Sequence, residues 1–237
     1  MTERAVTMAE LDLPAFLAST ALFSAMTPSE LKRTASICDI RTLTKDETVF
    51  RAGDVCESLH MVVSGQVKLF VGSPQGHEKV IEIFSAGQSF AEAIMFLDKP
   101  YIFNAQALNA AVLLHVRKQG VFAEIARDPK FAMHMLGGVS RRLQALIQDV
   151  EGYALKSGKQ RLITFLLREL DPSIDPLPRS VMVTLPASKT TIASRLSLTP
   201  EYFSRVLHDL EDQRLIKIDK RAIHIPDLQA LRAQASD

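Results

Sequence analysis

Residues 199–205 read TPEYFSR. Within them Glu201, Ser204 and Arg205 are three and four positions apart, so a helix would carry all three on one side. A guanidinium donates two parallel hydrogen bonds, a carboxylate accepts from an amine, and a hydroxyl does either. On the edges of nucleic-acid bases these properties match guanine, cytosine N4, and either kind of partner. The plain alternative is a surface ion pair. Glu201 and Arg205 at i,i+4 would stabilise a helix by only about 0.3–0.5 kcal/mol.

The surrounding residues decide between the two. Thr199 suits an N-cap and Pro200 the first helical position. At 100° per residue, Phe203, Val206, Leu207 and Leu210 fall on one side, and Glu201, Ser204, Arg205 and His208 on the other. The helix is thus anchored by one stripe and presents the other. Upstream, Ser188 can cap KTTIASRL, and SLT is a three-residue turn. Downstream, LIKIDKRAIHI reads as strand, tight Asp-Lys turn, strand. Two short helices, a tight turn and a β-wing are the layout of a winged helix-turn-helix, whose second helix enters the DNA major groove. Lys189 and Thr191, at the start of the first helix, are candidates for phosphate contacts. Before them, VMVTLP reads as a strand and DPSIDPLPRS as a loop. KQRLITFLLREL is an amphipathic helix with Leu162, Ile163, Leu166, Leu167 and Leu170 inward.

A long helix over residues 128–155 precedes this region. Leu136, Val139, Leu143, Leu146, Val150 and Tyr153 follow spacings of 3, 4, 3, 4 and 3, a heptad a/d stripe that predicts a dimer seam. Arg141, Arg142, Gln144, Gln148 and Asp149 take the other face. The competing expectation is a helix packed on its own domain. Gly137 and Gly138 count against a stiff helix by roughly 1 kcal/mol each.

From Thr42 to about Val116 the chain alternates short β-rich runs with turns, which suggests a barrel or jelly roll. Gly53, Gly65, Gly76 and Gly87 stand where turns are wanted. PSELKRTASI is a short helix that Thr27 or Ser29 can cap, with Leu31, Ala35 and Ile37 inward.

Composition sets outer limits. The chain has 237 residues, room for two modest domains, with 47% hydrophobic and 23% charged residues, as in a folded soluble protein. The start shows no basic–apolar–cleavage pattern, and no apolar run reaches the roughly 18 residues of a membrane span. Cys38 and Cys56 are too few for a disulfide framework or for an iron–sulfur cluster within one chain. A cytoplasmic protein with free thiols follows, and nothing basic beside them argues for reactivity. The net charge is +1, and residues 157–237 carry 12 basic against 10 acidic side chains, so local placement must identify the partner. No C-x-x-C-H haem attachment motif occurs. His77 lies in a Gly-rich turn, His60 and His115 lie in strand runs where one exposed face is expected, and His134 lies between two methionines. No H-x-H occurs, which removes the main support for a cupin-type metalloenzyme.

LHMVVSGQVKLF, GQSFAEAIMFLDKP, the heptad helix and TPEYFSRVLHDLEDQRLIKIDKRAIHI together resemble the CRP/FNR family of transcription regulators over nearly the whole chain. The resemblance implies an α+β fold: residues 1–127 a β-roll (jelly-roll, cyclic-nucleotide-binding-like) sensor, 128–156 a dimerisation helix, and 157–237 a winged helix-turn-helix. It implies a homodimer on double-stranded DNA, not an enzyme, that works with RNA polymerase. Glu201, Ser204 and Arg205 match the E-x-x-S-R motif of the FNR-type branch, which implies TTGAT and ATCAA half-sites. FAEAIMFLDKP is most similar to Dnr-type denitrification regulators, which implies nitric oxide sensing through non-covalent haem. The family's cyclic-nucleotide pocket uses a Gly-Glu pair and an Arg-Ser pair. Here Ala91-Glu92 keeps only the glutamate, and Tyr101–Asn104 has no arginine, so cyclic AMP is not expected to bind. Another effector, or a β-roll that is only a scaffold for constitutive DNA binding, remains the alternative.

Overall fold

The computed structural model describes residues 11–72, 78–170 and 178–235. Two compact units, residues 1–146 and 147–237, divide the chain within its longest helix.

The first unit opens with α1 (Leu13–Ala18) and α2 (Pro28–Ser36). Thr27 caps α2 in a capping box: Glu30 N–H donates to Thr27 Oγ1 at 3.4 Å, and Thr27 N–H donates to Glu30 Oε2 at 2.7 Å. Eight strands follow: β1 (Cys38–Leu43), β2 (Thr48–Phe50), β3 (Ser58–Ser64), β4 (Val67–Gly72), β5 (Glu78–Phe84), β6 (Ser89–Phe90), β7 (Asn104–Ala107) and β8 (Ala111–Arg117). The short α3 (Glu92–Phe96) lies between β6 and β7. The strands form two antiparallel sheets, ordered β1-β8-β3-β6 and β2-β7-β4-β5. This resolves the barrel-or-jelly-roll expectation into two sheets over one core. Leu59, Met61, Leu113 and Leu114 enter that core from the first sheet, and Val67, Leu69 and Ala105 from the second. Each large apolar side chain contributes about 1.5–3 kcal/mol by burial. Gly65, at φ +75°, shows why a turn glycine is needed, because a Cβ there would meet Ala110 O at 2.3 Å. Gly76 and His77 lie outside the described residues.

Two helices complete this unit, α4 (Lys118–Arg127) and the start of α5 (Pro129–Leu155). Phe131 and Met135 of α5 are buried in the core, whereas Leu136 and Leu143 are each 58% exposed. The helix therefore uses one stripe for its own domain and leaves another uncovered. Gly138 belongs to the packed stripe, where a Cβ would meet Leu22 O at 2.4 Å. At Gly137 the nearest atom, Arg141 Nη1, would be at an ordinary 3.6 Å. The two glycines should respond in opposite directions. Gly138→Ala should destabilise this unit by about 1–3 kcal/mol through a backbone clash. Gly137→Ala should stabilise it by roughly 1 kcal/mol through helix propensity. Scanning calorimetry of the full chain distinguishes the two shifts.

The second unit contains α6 (Gly158–Arg168), β9 (Val181–Thr184), α7 (Lys189–Arg195), α8 (Pro200–Asp212), β10 (Lys217–Asp219), β11 (Ala222–Ile225) and α9 (Leu228–Ala233). Leu162, Ile163, Phe165 and Leu166 of α6 are buried, while Leu167 and Leu170 are only half-buried. Most of the expected DPSIDPLPRS loop lies outside the described residues. The wing is a three-stranded sheet, ordered β10-β11-β9. Its hairpin pairs Asp219 with Ala222, so Lys220 and Arg221 make the turn, one position later than the Asp-Lys turn expected from sequence. Among the described residues, no helix is long and apolar enough to cross a membrane.

Candidate nucleic-acid interface and sensor cavity

Helix α8 starts as its sequence dictates. Thr199 caps it, with Tyr202 N–H donating to Thr199 Oγ1 at 3.2 Å, and Pro200 follows. Phe203, Val206, Leu207 and Leu210 are all buried, which fixes the rotation of the helix. Glu201 and Arg205 are then exposed and Ser204 half-buried, as the wheel predicts. The expected surface ion pair is not formed. The Arg205 guanidinium instead lies 4.9 Å from the centre of the Tyr202 ring, and neither it nor Glu201 is held by another described charge. A stacked guanidinium keeps its donors free and loses rotamer freedom before any partner arrives.

Sequence reasoning missed the residues that hold this helix. A Cβ at Gly158 would meet Tyr202 Cε1 at 2.4 Å, so α6 and α8 meet closely at a glycine. Arg161 Nη1 donates to Leu196 O at 2.7 Å and ties α6 to the turn before α8. In that turn Ser197 takes φ +55°, and Leu198 N–H donates back to Ala193 O at 2.9 Å. Ser188 caps α7 as expected: Thr191 N–H donates to Ser188 Oγ at 3.1 Å, and the Ser188 and Thr191 hydroxyls are 2.8 Å apart. Thr191 is thereby part of the cap, while Lys189, half-buried, opens α7.

In the first unit a cavity of 460 Å³ separates the second sheet and α3 from α5. Its walls are apolar: Phe50, Phe84, Phe90, Ile102 and Phe103, with Val139, Leu143 and Leu146 from α5. Phe50 and Tyr101 stack at 3.6 Å between centroids, nearly parallel. The polar side chains of the lining are few: Ser89, Glu92, Arg142 and the Tyr101 hydroxyl. Glu92 is buried, and its Oε2 has no hydrogen-bond partner. Burial pushes its pKa up, against the pull of its own backbone N–H and the Arg142 charge. The Arg142 guanidinium lies 5.1 Å from the centre of the Phe84 ring. Ala91 places Glu92 from φ +69°, a left-handed conformation that glycine would adopt more easily.

Comparisons with known proteins cover the domains that carry these two regions. Residues 40–128 match the family model of the cyclic nucleotide-binding domain, and residues 160–234 that of the Crp-like helix-turn-helix domain. The solved structure of DNR from Pseudomonas aeruginosa is 31% identical, covering 92% of this chain and 96% of that one, with a TM-score of 0.52. The chain belongs to the CRP/FNR family of transcription regulators. FixK2 from Bradyrhizobium japonicum, 21% identical, shares the fold at a TM-score of 0.72 over 83% of this chain and 96% of that one. The cyclic AMP receptor protein of Thermus thermophilus is 23% identical, covering 89% of this chain and 94% of that one. These names come from different branches of the CRP/FNR family and do not single out one effector.

The haem that the Dnr-like segment implies can be tested against the donors in place. No histidine, cysteine or methionine lines the 460 Å³ cavity. Tyr101 does, but its hydroxyl donates to Ser58 O at 3.1 Å and lies 2.8 Å from His60 Nε2. His60 Nδ1 is in turn 3.1 Å from His115 Nδ1. If the Tyr101 proton points to Ser58 O, His60 carries its proton on Nε2 and His115 on Nδ1. His60 is 3% exposed, contrary to the expected solvent face, and burial holds its pKa well below the usual value. Burial lowers His115 as well, to about 4. His134 Nδ1 lies 3.1 Å from Glu30 Oε1. His115 Nε2 has no hydrogen-bond partner, but His115 does not line this cavity, and the implied haem finds no axial histidine, cysteine or methionine among the residues of this CRP/FNR cavity. Burial also pushes the Cys38 thiol up to about 12, away from reactivity. Among the described residues no three His, Cys, Asp or Glu side chains are grouped to hold a metal ion.

Of the residues assigned to the dimer seam, Leu136, Leu143 and Leu146 are exposed, and Val139 packs partly on the core. The side chains of Val150 and Tyr153 lie outside the described residues. Arg142, placed by the wheel on the polar face, reaches the cavity instead.

Proposed function

We propose that this protein is a cytoplasmic, homodimeric regulator that binds TTGAT-N4-ATCAA palindromes and presents RNA polymerase at the promoters it controls. Arg205 and Glu201 read a G·C pair, and Ser204 lies near a thymine. Lys189 and Thr191 approach the phosphates. The observation that carries this reading is the pair of free charges, Glu201 and Arg205, on the outer stripe of a helix whose inner stripe is locked by burial. Two such helices spaced about 34 Å apart match one turn of DNA.

The cavity is the sensor. Val139, Leu143 and Leu146 belong both to its wall and to the proposed seam, so an occupant touches the helix through which two copies would pair. Occupancy then shifts the population toward the dimer geometry that fits DNA. The test is fluorescence anisotropy of the purified full chain on this palindrome and on a scrambled duplex at about 0.15 M salt. Specific binding should exceed non-specific binding by about 10³-fold or more. Equal affinities would reject the reading.

A further inference from the structure

We infer that the sensor cavity takes a flat aromatic molecule bearing a single carboxylate. This rests on the reading of the cavity as the sensor site. Three features lead to it.

The walls select the body of the ligand. Phe84 and Phe90 stand 5.1 Å apart between centroids, beside the stacked Phe50–Tyr101 pair, with Phe103 and Ile102 nearby. Such surfaces favour an aromatic ring over a flexible polar chain. A volume of 460 Å³ admits a bicyclic ring system.

Arg142 selects the charge. Its guanidinium is half-buried on the Phe84 ring and is not ion-paired within the described residues. A neutral occupant would cover this cation without compensating it, and a dianion would leave an uncompensated negative charge in an apolar site. One carboxylate balances one guanidinium and can meet its two donors side by side.

Glu92 selects the acceptor. Its Oε2 is buried without a partner, and Glu92, Ser89 and Arg142 also line a smaller 160 Å³ cavity. Burial favours the protonated acid, which can donate an O–H to a bound carboxylate. In that protonated form Glu92 and Arg142 both serve an anion, whereas an ionised Glu92 would oppose one.

The experiment is titration calorimetry on the full-length protein with phenylacetate, indole-3-acetate and 2-naphthoate, and with 2-naphthamide and 2-naphthyl phosphate as controls. At least one of the three acids should bind saturably, and 2-naphthoate should bind about 10-fold or more tighter than its amide. Arg142→Gln should remove most of that preference while leaving the melting curve intact. Ile102→Trp, at an exposed position of the lining, should weaken every aryl ligand by obstructing the cavity. Failure of all three acids, equal affinity for acid and amide, a preference that survives Arg142→Gln, or tighter binding of the phosphate would each overturn the inference. DNA affinity is measured separately with the bound acid. An acid that binds through Arg142 without changing DNA affinity supports the ligand class and rejects the sensor role.

Discussion

Arg205→Ala should weaken binding to the TTGAT palindrome by about 2–6 kcal/mol per dimer, because each of two half-sites loses about 1–3 kcal/mol of base reading. Arg205 is exposed and contacts only the Tyr202 ring, so its removal should leave folding intact. The decisive comparison is a second duplex in which the G·C pair assigned to Arg205 is changed in both half-sites. On that DNA the wild type has already lost the contact, and the mutation should matter little. A phosphate-binding arginine would behave otherwise, losing similar affinity on both duplexes and flattening the salt dependence. Arg205→Lys should recover the charge but not the two parallel donors, and should sit nearer the alanine variant. Anisotropy titrations of three proteins on two duplexes are sufficient. Equal losses of the alanine variant on both would remove Arg205 from base reading.

The sequence was informative wherever one local pattern determined one outcome. The caps at Thr27, Ser188 and Thr199 formed because a hydroxyl before a helix has orphan N–H groups within reach. The two stripes of α8 followed from 3.6-residue periodicity, since the apolar side has a core to enter. What escaped notice depends on partners distant along the chain. Gly138 looked like a defect in a helix, and only the backbone of Leu22 explains it. His60 and His115 face each other because β3 and β8 pair in a particular register, which no local pattern records. Arg142 looked like a solvated charge, and its place in the cavity depends on Phe84 and the other lining residues far along the chain from α5. The short α4 and α9 escaped too. For α9 the available signal was Asp227, whose carboxylate accepts from Gln229 and Ala230 N–H groups.

Leu143→Glu should convert the proposed dimer to monomers. In the protomer Leu143 is 58% exposed on α5, so the substitution is tolerated by the isolated fold. In a seam it faces its symmetry mate, and two carboxylates would be desolvated side by side. The penalty is about 3–5 kcal/mol, some 10²–10⁴-fold in dimer affinity. Leu143 also lines the cavity, so a control must separate the two roles. Leu97 supplies it, being 60% exposed and part of the same cavity lining but on the chain just after α3 rather than on α5. Leu97→Glu places the same charge at the cavity and should remain dimeric. Sedimentation velocity at micromolar concentration distinguishes the outcomes. The monomeric variant should also lose most palindrome affinity while keeping α8 unchanged, because linkage of two half-site readers supplies much of the binding strength. A Leu143→Glu protein that stays dimeric would move the interface off the 136–143–146 stripe. The cavity would then no longer share a wall with the seam, and a ligand bound there would need another route to the DNA-reading helix.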